Sequence, residues 1–397
     1  MKSLSQKVAQ AEASQTLALT ALAKKLKSEG VDVVSLTAGE PDFPTPQHIK
    51  KAAVQAIEEN FTKYTVSSGI PELRKVIAEK LKRDNCVEVD ASQVMVSNGA
   101  KHSIFNALQA ICNQGDEVII PAPYWVSYPE MVKLVDAVPV IITSTEETDF
   151  KISAAQLEKT VTAKTKALIL CSPSNPTGSV YSEEELRSLA TVIKKTGIFV
   201  IADEIYEKVI YDGMKHFSLG SIPEIKEQII TVNGVSKAYS MTGWRIGFMA
   251  AAKEIVDAAG KVQSQVTSGP NSIAQKAAYA AFAGSDDEVH KMTAEFKKRR
   301  DYIHKAITSI PGVTSSLPKG AFYLFPNVSS FFGKSFNGTK VNNANDMAHY
   351  LISEAKVVTV PGEGFGAPGN IRLSYACSMQ DLEKASSRMK DALAKLQ

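Results

Sequence analysis

A lysine in a loop leaving an apolar strand is poorly explained by packing, and Lys237 is one: it follows the run IITVN within NGVSKAYSMTGWRIG. An amine held in a partly desolvated pocket has a lowered pKa and forms a Schiff base with a carbonyl. A solvated loop lysine is the default for any lone Lys, so the case rests on its companions. Asp203 ends the apolar run IFVIA and is followed by Glu204, Ile205 and Tyr206. A carboxylate buried at a strand end needs a cationic partner, because leaving it unpaired is too costly. A pyridinium nitrogen would serve. Asn175 precedes Pro176 in SPSNPTG, a turn suited to a cis peptide that aims a polar side chain into the strand-end cleft. Asn-Pro turns are common, and this residue carries little alone.

Ser97-Asn98-Gly99-Ala100-Lys101 joins the strand-like VMVS to a helix, where backbone N–H groups at the helix start hold a phosphate. Arg245, eight residues after Lys237, has a two-pronged guanidinium for the same anion. Trp125, one of two tryptophans, follows PAPY and has a face for a planar ring, although core packing is the default for an isolated Trp. Arg372 opens IRLSYA; if buried it needs an anion, with a substrate carboxylate one candidate and a structural Asp or Glu the other. An imine-forming amine, a phosphate cradle, a carboxylate for a ring nitrogen and a carboxylate-binding arginine together fit pyridoxal phosphate acting on amino acids.

These residues need elements to position them. From residue 94 onward, short apolar runs alternate mostly with helical segments: VMVS 94–97, EVII 117–120, PVIIT 139–143, ALIL 167–170, IFVIA 198–202, IITVN 229–233 and RIGFMAA 245–251. Continuous apolar strands of this kind indicate a mostly parallel sheet covered on both faces, an α/β architecture that places ligands at strand ends. After about residue 285 a long charged helix, strands near FYLF, VVTV and IRLSYA, and a closing helix suggest a smaller α+β domain. The expected division is an N-terminal segment 1–45 joining the small domain, a large domain 46–284 and a small domain 285–397. Leu19, Leu22, Ala23 and Leu26 form a helical stripe that stops at Gly30, and Pro46 and Pro71 each start a helix. GKSFNGTKVNNAN at 333–345 reads as a surface loop. Gly364, Gly366 and Gly369 spell G-x-G-x-x-G, but Pro368 and a strand follow where a dinucleotide site needs a helix start, so the motif reads as a turn.

The 397 residues carry 45 Lys+Arg against 42 Asp+Glu, a net +3 too weak to predict a nucleic-acid or anionic-membrane partner. With 44% apolar and 22% charged residues, composition excludes disordered, collagen-like and disulfide-framework chains. Cys86, Cys112, Cys171 and Cys377 form no C-x-x-C pair and read as buried free thiols. The six histidines show no zinc-site spacing, so no metal is expected. No apolar leader and no run near the roughly 18 residues of a membrane helix is seen, and a cytoplasmic protein is the expectation.

Eight ordered blocks, TAGEPDFPTP, YTVSSGIPELR, VSNGAKHSIFNAL, PAPYWVSYPEM, CSPSNPTGSVY, ADEIYE, NGVSKAYSMTGWRIG and IRLSYA, span nearly the whole chain. Through them the sequence resembles fold-type I pyridoxal-phosphate enzymes, and within these the class I aspartate aminotransferases of the bacterial and plant-plastid branch, including the bifunctional aspartate/prephenate aminotransferases. The resemblance implies that Lys237 forms the Schiff base with the cofactor and, once freed, moves the proton from Cα to C4′. Asp203 would keep the ring nitrogen protonated, and Tyr206 and Asn175 would hydrogen-bond the ring's phenolic oxygen. Trp125 would stack on the ring. Gly99, Ala100, Ser236 and Arg245 would bind the phosphate, with Tyr64 reaching it from the partner subunit of a homodimer. Arg372 would grip the α-carboxylate, helped by the backbone at Gly39.

In that branch a lysine after the phosphate loop and a threonine in the N-terminal segment meet the distal carboxylate, and here those positions hold Lys101 and Thr16. A second cation suits dicarboxylates and the ring carboxylate of prephenate; Lys101 as a mere helix-start lysine is the alternative. One position departs: relatives with prephenate activity often carry a basic residue near the place of Glu12, which argues against prephenate and leaves aspartate untouched. An aromatic amino acid aminotransferase, or a β-lyase on the same scaffold, is the competing reading.

Overall fold

The computed structural model describes residues 5–12 and 15–397. The seven apolar runs form one sheet whose strands lie in the order 94–97, 247–250, 229–234, 199–203, 165–171, 117–122, 138–143. Neighbouring strands are parallel except Gly247–Ala250, which runs against both Val94–Ser97 and Ile229–Gly234. The inner strands are apolar runs because each is covered twice, while the edge strand Val138–Thr143 keeps Val138 and Ile141 exposed. Val118, Ile120, Ile169 and Ile201 join one core cluster, while the alternate residues Ile119, Leu168, Leu170 and Val200 join another. The pleat sends successive side chains to opposite faces, so a strand buried on both must be apolar throughout.

Register brings the chemically interesting ends to one edge. Cys171 pairs with Asp203 and Asp203 with Val232, while Gly234 and Ser97 both pair with Gly247. The segments carrying Asn175, Glu204 to Tyr206, Ser236, Lys237 and Gly99 therefore leave the sheet side by side. Gly247 has to be glycine: a Cβ there would lie 2.2 Å from the Ala100 nitrogen, where the helix Ala100–Ile111 starts directly above the strand.

The C-terminal third is built differently. A three-stranded antiparallel sheet joins Val360–Pro361, Ile371–Ser374 and Tyr323–Leu324, flanked by the helices Asp287–Thr308 and Met379–Leu393. The N-terminal segment is tied to it, since Val34 and Ser35 pair in parallel with Val357 and Val358. On the helix Gln15–Ser28, Leu19 and Leu26 pack against the cluster of Ala23, Val33 and Val358, and Leu19 also against that of Phe325, Val360 and Phe365. Pro71 opens the helix Pro71–Asn85 at its first turn, and Pro46 precedes Gln47–Glu58. Of the glycine triplet at 364–369, Gly364 lies in a short 3-10 turn, Gly362–Phe365, and Gly366 closes it in a left-handed conformation ahead of the strand at 371.

Two expectations are corrected. Residues 333–345 are not a plain loop: Ser335–Phe336 and Thr339–Lys340 form an antiparallel hairpin, and Ala344 begins a helix capped by Asn343. Asn337 and Gly338 supply consecutive left-handed residues, with φ of 47° and 78°, which a two-residue hairpin turn requires. The cysteines are free but not buried. Cys86 is exposed at the left-handed end of its helix, and Cys112, Cys171 and Cys377 are half-buried.

Candidate active site

At the strand-end edge lies a cavity of about 380 Å³ lined by Lys237, Asp203, Tyr206, Asn175, Ser236, Arg245, Ala100, Lys101, Trp125, Gly39, Thr16 and Arg372. Gly99 sits beside it against Arg245. Tyr64 stands apart: it is 96% exposed and borders a different hollow with Ser268 and Gly269. A larger open hollow of about 530 Å³ beside Phe43 and Trp244 has no charged side chain in its lining.

Lys237 lies three residues beyond the strand Ile229–Gly234, and its Nζ donates to the Gly39 carbonyl. Desolvation pulls its amine down to about 8; the carboxylates of Glu40 and Asp203 oppose this, and Arg372 and Arg245 add to it. Asp203 is buried at the end of its strand, where Oδ2 accepts from the Tyr128 hydroxyl at 2.6 Å and Oδ1 from the Ile205 N–H at 3.2 Å. Burial pushes this carboxyl up, and among the described residues no cation is in salt-bridge contact with it. It therefore faces the cavity as an acceptor lacking a counter-ion.

A second buried charge of the cavity lining also lacks a counter-ion. Arg372 is buried, its guanidinium stacked on the Tyr323 ring at 4.5 Å. Nη1 donates to Asn175 Oδ1 at 3.0 Å and Nη2 to the Thr37 carbonyl at 2.8 Å, while Nε has no partner. No carboxylate is in salt-bridge contact with Arg372 among the described residues, so a structural Asp or Glu is ruled out as its anion. Thr16 Oγ1 is likewise buried and unpartnered at the cavity wall. Both atoms belong to residues that line the same cavity, where a ligand can make the bonds they lack.

The anion cradle is backbone geometry. Gly99 takes φ of 87° just before the helix Ala100–Ile111, whose first N–H groups have no side-chain cap. Arg245 curls over it, donating to the Thr242 carbonyl at 2.9 Å and the Asn98 carbonyl at 3.3 Å. A Cβ on Gly99 would lie 2.4 Å from Arg245 Nη2, so the glycine keeps room for both guanidinium and anion. Ser236 is buried beside the cradle. Trp125 is half-buried, its ring edge-on to Tyr128 at 5.3 Å, so it is a wall of the cavity more than a core residue. Lys101 Nζ lies 4.6 Å over that ring, lowered by desolvation and by the Arg245 charge, with no acid paired to it among the described residues. The arrangement fits a planar ring with a phosphate at one end, a protonated nitrogen at Asp203 and an electrophilic carbon at Lys237.

Sequence reasoning passed over Tyr128, Tyr323, Thr37 and Glu40. The tyrosines sit in apolar contexts, PAPYWVSYPEM and FYLF, that read as core, and only the fold turns Tyr128 toward Asp203 and Tyr323 toward the Tyr206 hydroxyl, 2.8 Å away. Glu40, in GEPDF, had a visible signal, being a carboxylate one residue from the backbone that Lys237 contacts.

Residues 31–389 match the family model described as aminotransferase class I and II. The chain is 48% identical over 377 residues to an aspartate aminotransferase of Bacillus sp. (strain YM-2), covering 95% of each. It is 47% identical to a bifunctional aspartate aminotransferase and glutamate/aspartate-prephenate aminotransferase of Petunia hybrida, over 98% of this chain and 83% of that one. Its fold is similar to that of the Thermus thermophilus aspartate aminotransferase solved with maleate, at a TM-score of 0.94 and 40% identity, covering 99% and 100% of the two chains.

Proposed function

The chain belongs to the class I and II aminotransferases, and from that premise we propose that it is an aspartate aminotransferase. It exchanges L-aspartate and 2-oxoglutarate for oxaloacetate and L-glutamate in a ping-pong cycle with pyridoxal 5′-phosphate, and it also aminates prephenate to L-arogenate from aspartate or glutamate. The observation that carries this reading is one cavity lined by two cations with no carboxylate paired to them among the described residues, Arg372 and Lys101, and by a lysine whose amine is brought down to about 8. Two such cations suit a substrate with two carboxylates, and two relatives named for aspartate transamination and one solved with maleate support it.

Pyridoxal phosphate supplies, when bound, an aldehyde that captures the substrate amine and a ring that withdraws electrons from its Cα. Lys237 takes the proton from the substrate Cα and returns one on the other side of the reaction, a role matched to an amine that titrates at about 8 and so exchanges a proton readily near neutral pH. Asp203 holds the proton on the ring nitrogen. Tyr206 and Asn175 hydrogen-bond the phenolic oxygen, and Trp125 closes one face of the ring slot. Gly99, Ala100, Ser236 and Arg245 bind the phosphate. Arg372, assisted by the backbone at Gly39, takes the α-carboxylate, and Lys101 with Thr16 the distal one. The exposed Tyr64 reaches the phosphate of a second subunit, so the working form is a homodimer. Residues 46–284 form the large, cofactor-binding domain, 285–397 the small one joined by 1–45, and the enzyme works in the cytoplasm. Among the described residues no helix is long and apolar enough to cross a membrane.

Lys237→Ala tests the mechanism: when aspartate is added to the loaded protein, the variant should bind it but no longer convert the cofactor to its amine form, and retained turnover would overturn the assignment. A coupled assay offering prephenate as acceptor with aspartate as donor tests the second activity. Arogenate formation is the expected outcome, and none is the result that restricts the enzyme to aspartate. A β-lyase needs no second carboxylate site, and Lys101 speaks against it.

A further inference from the structure

Asp203 has a neighbour that the proposed mechanism does not use. Tyr128 lies in the first turn of the helix Ser127–Leu134, three residues after Trp125, and is 2% exposed. Its hydroxyl reaches Asp203 Oδ2 at 2.6 Å, the short range of a hydrogen bond from a hydroxyl to an ionised carboxylate. Its ring meets Trp125 edge-on, at 88°, so the wall of the ring slot and the partner of Asp203 are locked to each other.

The surroundings of Asp203 make this bond consequential. Oδ1 receives only the Ile205 N–H, at 3.2 Å. Burial favours the neutral carboxylic acid, and the Tyr128 hydrogen bond is the strongest influence against it, ahead of the Ile205 N–H and the Lys237 charge, while Glu204 works in the other direction. Cys171, on the adjoining strand, contributes a thiol that burial keeps protonated. The Tyr128 phenol is itself held far above its ordinary range, first by burial and then by the Asp203 charge, so it remains a donor and never competes for the proton. A buried carboxylate beside a pyridine nitrogen has two ways to share one proton: on the nitrogen as an ion pair, or on the oxygen as a neutral pair. A fixed donor to the carboxylate stabilises only the first.

We propose that Tyr128 is a positioning residue for the ring nitrogen's partner: by donating to Asp203 Oδ2 it keeps that carboxylate ionised and aimed, and so keeps the proton on the nitrogen. This rests on the reading of Asp203 given above. Removing the hydroxyl moves the proton from nitrogen to carboxylate, and the ring withdraws electrons less well. Substrate binding at Arg372 is unaffected, so the loss falls on kcat and spares KM.

The test compares holoenzyme with Tyr128→Phe, loaded with cofactor labelled with nitrogen-15 at the ring. The variant should shift the ring-nitrogen resonance toward its unprotonated position and lower kcat for aspartate about 10- to 100-fold, the range for losing one hydrogen bond to an ionised group. KM and the thermal unfolding of the cofactor-free protein should stay near wild type. Asp203→Asn should move the resonance further, and adding Tyr128→Phe to it should change nothing more. A fluorinated tyrosine at 128, a stronger donor, should move the resonance the opposite way from Tyr128→Phe and covers the case in which the phenylalanine variant fails to fold. If Tyr128→Phe leaves resonance and kcat in place while Asp203→Asn moves both, the proposal is overturned. If Asp203→Asn also leaves the resonance in place, the reading of Asp203 is wrong and the proposal falls with it.

Discussion

The segment Asp203–Glu207 serves two regions built on opposite principles. Asp203 and Tyr206 face the cavity, where Arg372 Nε and Thr16 Oγ1 have no partner and Lys101 has only an aromatic ring. Glu204 and Glu207 face away, into a cluster that supplies its own counter-ions. Lys80, 1% exposed, bonds to Glu207 and to Asn85 Oδ1, and Asn85 Nδ2 donates to the second Glu207 oxygen at 2.6 Å. Burial pushes the Glu207 carboxyl up, but Lys80 and His216 hold it below the usual range. His216 Nε2 lies 3.1 Å from Glu204 Oε2, an ion-pair contact that falls short of hydrogen-bond geometry, and Ser218 donates to the other Glu204 oxygen at 2.7 Å.

Glu204, Glu207 and His216 bring potential ligand atoms within 4.8 Å of one another, and the ammonium of Lys80 is the cation they already face. The same residue types thus mean different things according to what is left over. Charges that close on each other stabilise the fold; charges left open across a cavity wait for a substrate.

The comparison breaks most easily at its two extremes. Lys80→Met leaves Glu207 buried without its cation and should cost about 3–5 kcal/mol in urea unfolding, with activity per folded molecule unchanged. Arg372→Met removes an unpaired buried cation and should leave the cofactor-free protein about as stable as wild type, while kcat/KM for aspartate falls by roughly 100-fold or more. Equal destabilisation by the two would erase the distinction drawn here.

A finer division lies within the cavity. Lys101→Ala should lower kcat/KM about 10- to 100-fold for aspartate and 2-oxoglutarate and far less for phenylalanine, since only the dicarboxylates lose an ionic partner. Losses of the same size for all three would make Lys101 a bystander.

The smallest expected effect is a pH dependence of the closed cluster. Burial pulls the His216 imidazole down, but the carboxylates of Glu204 and Glu207 more than offset this and hold it above the ordinary 6.5. A folded-state pKa raised in this way contributes stability fully below the unfolded value and loses it as pH rises through the folded one. The stability gap between wild type and His216→Gln should therefore narrow as pH is raised from below 6.5 to well above it. A gap that widens would reverse the assignment.

How legible each region was follows from the range of its contacts. The sheet could be read because burial on both faces forces a continuous apolar run, and each run lies within a few residues of sequence. Lys237, Asp203, Asn175 and Arg245 stood out because polar residues directly after such runs have no packing reason to be there. Lys80 and Glu207 meet across 127 residues, and nothing in KLKRDN or ADEIYEK signals the pairing. Tyr128 looked like core because a tyrosine close to Val126 and Pro129 differs from a buried aromatic only in where its hydroxyl ends.

By itself the sequence determined the chemistry on offer: an amine, a strand-end carboxylate, a glycine-opened helix start and two spare cations, on a double-faced sheet. Tertiary structure decided which of these would be left without partners. That choice depends on register, which sets Asp203 level with Cys171, and on the antiparallel sheet that carries Arg372 to the cavity beside Asn175. Local propensity shapes each strand and helix, but whether a charge is satisfied depends on groups hundreds of residues away, and only the fold brings those groups together.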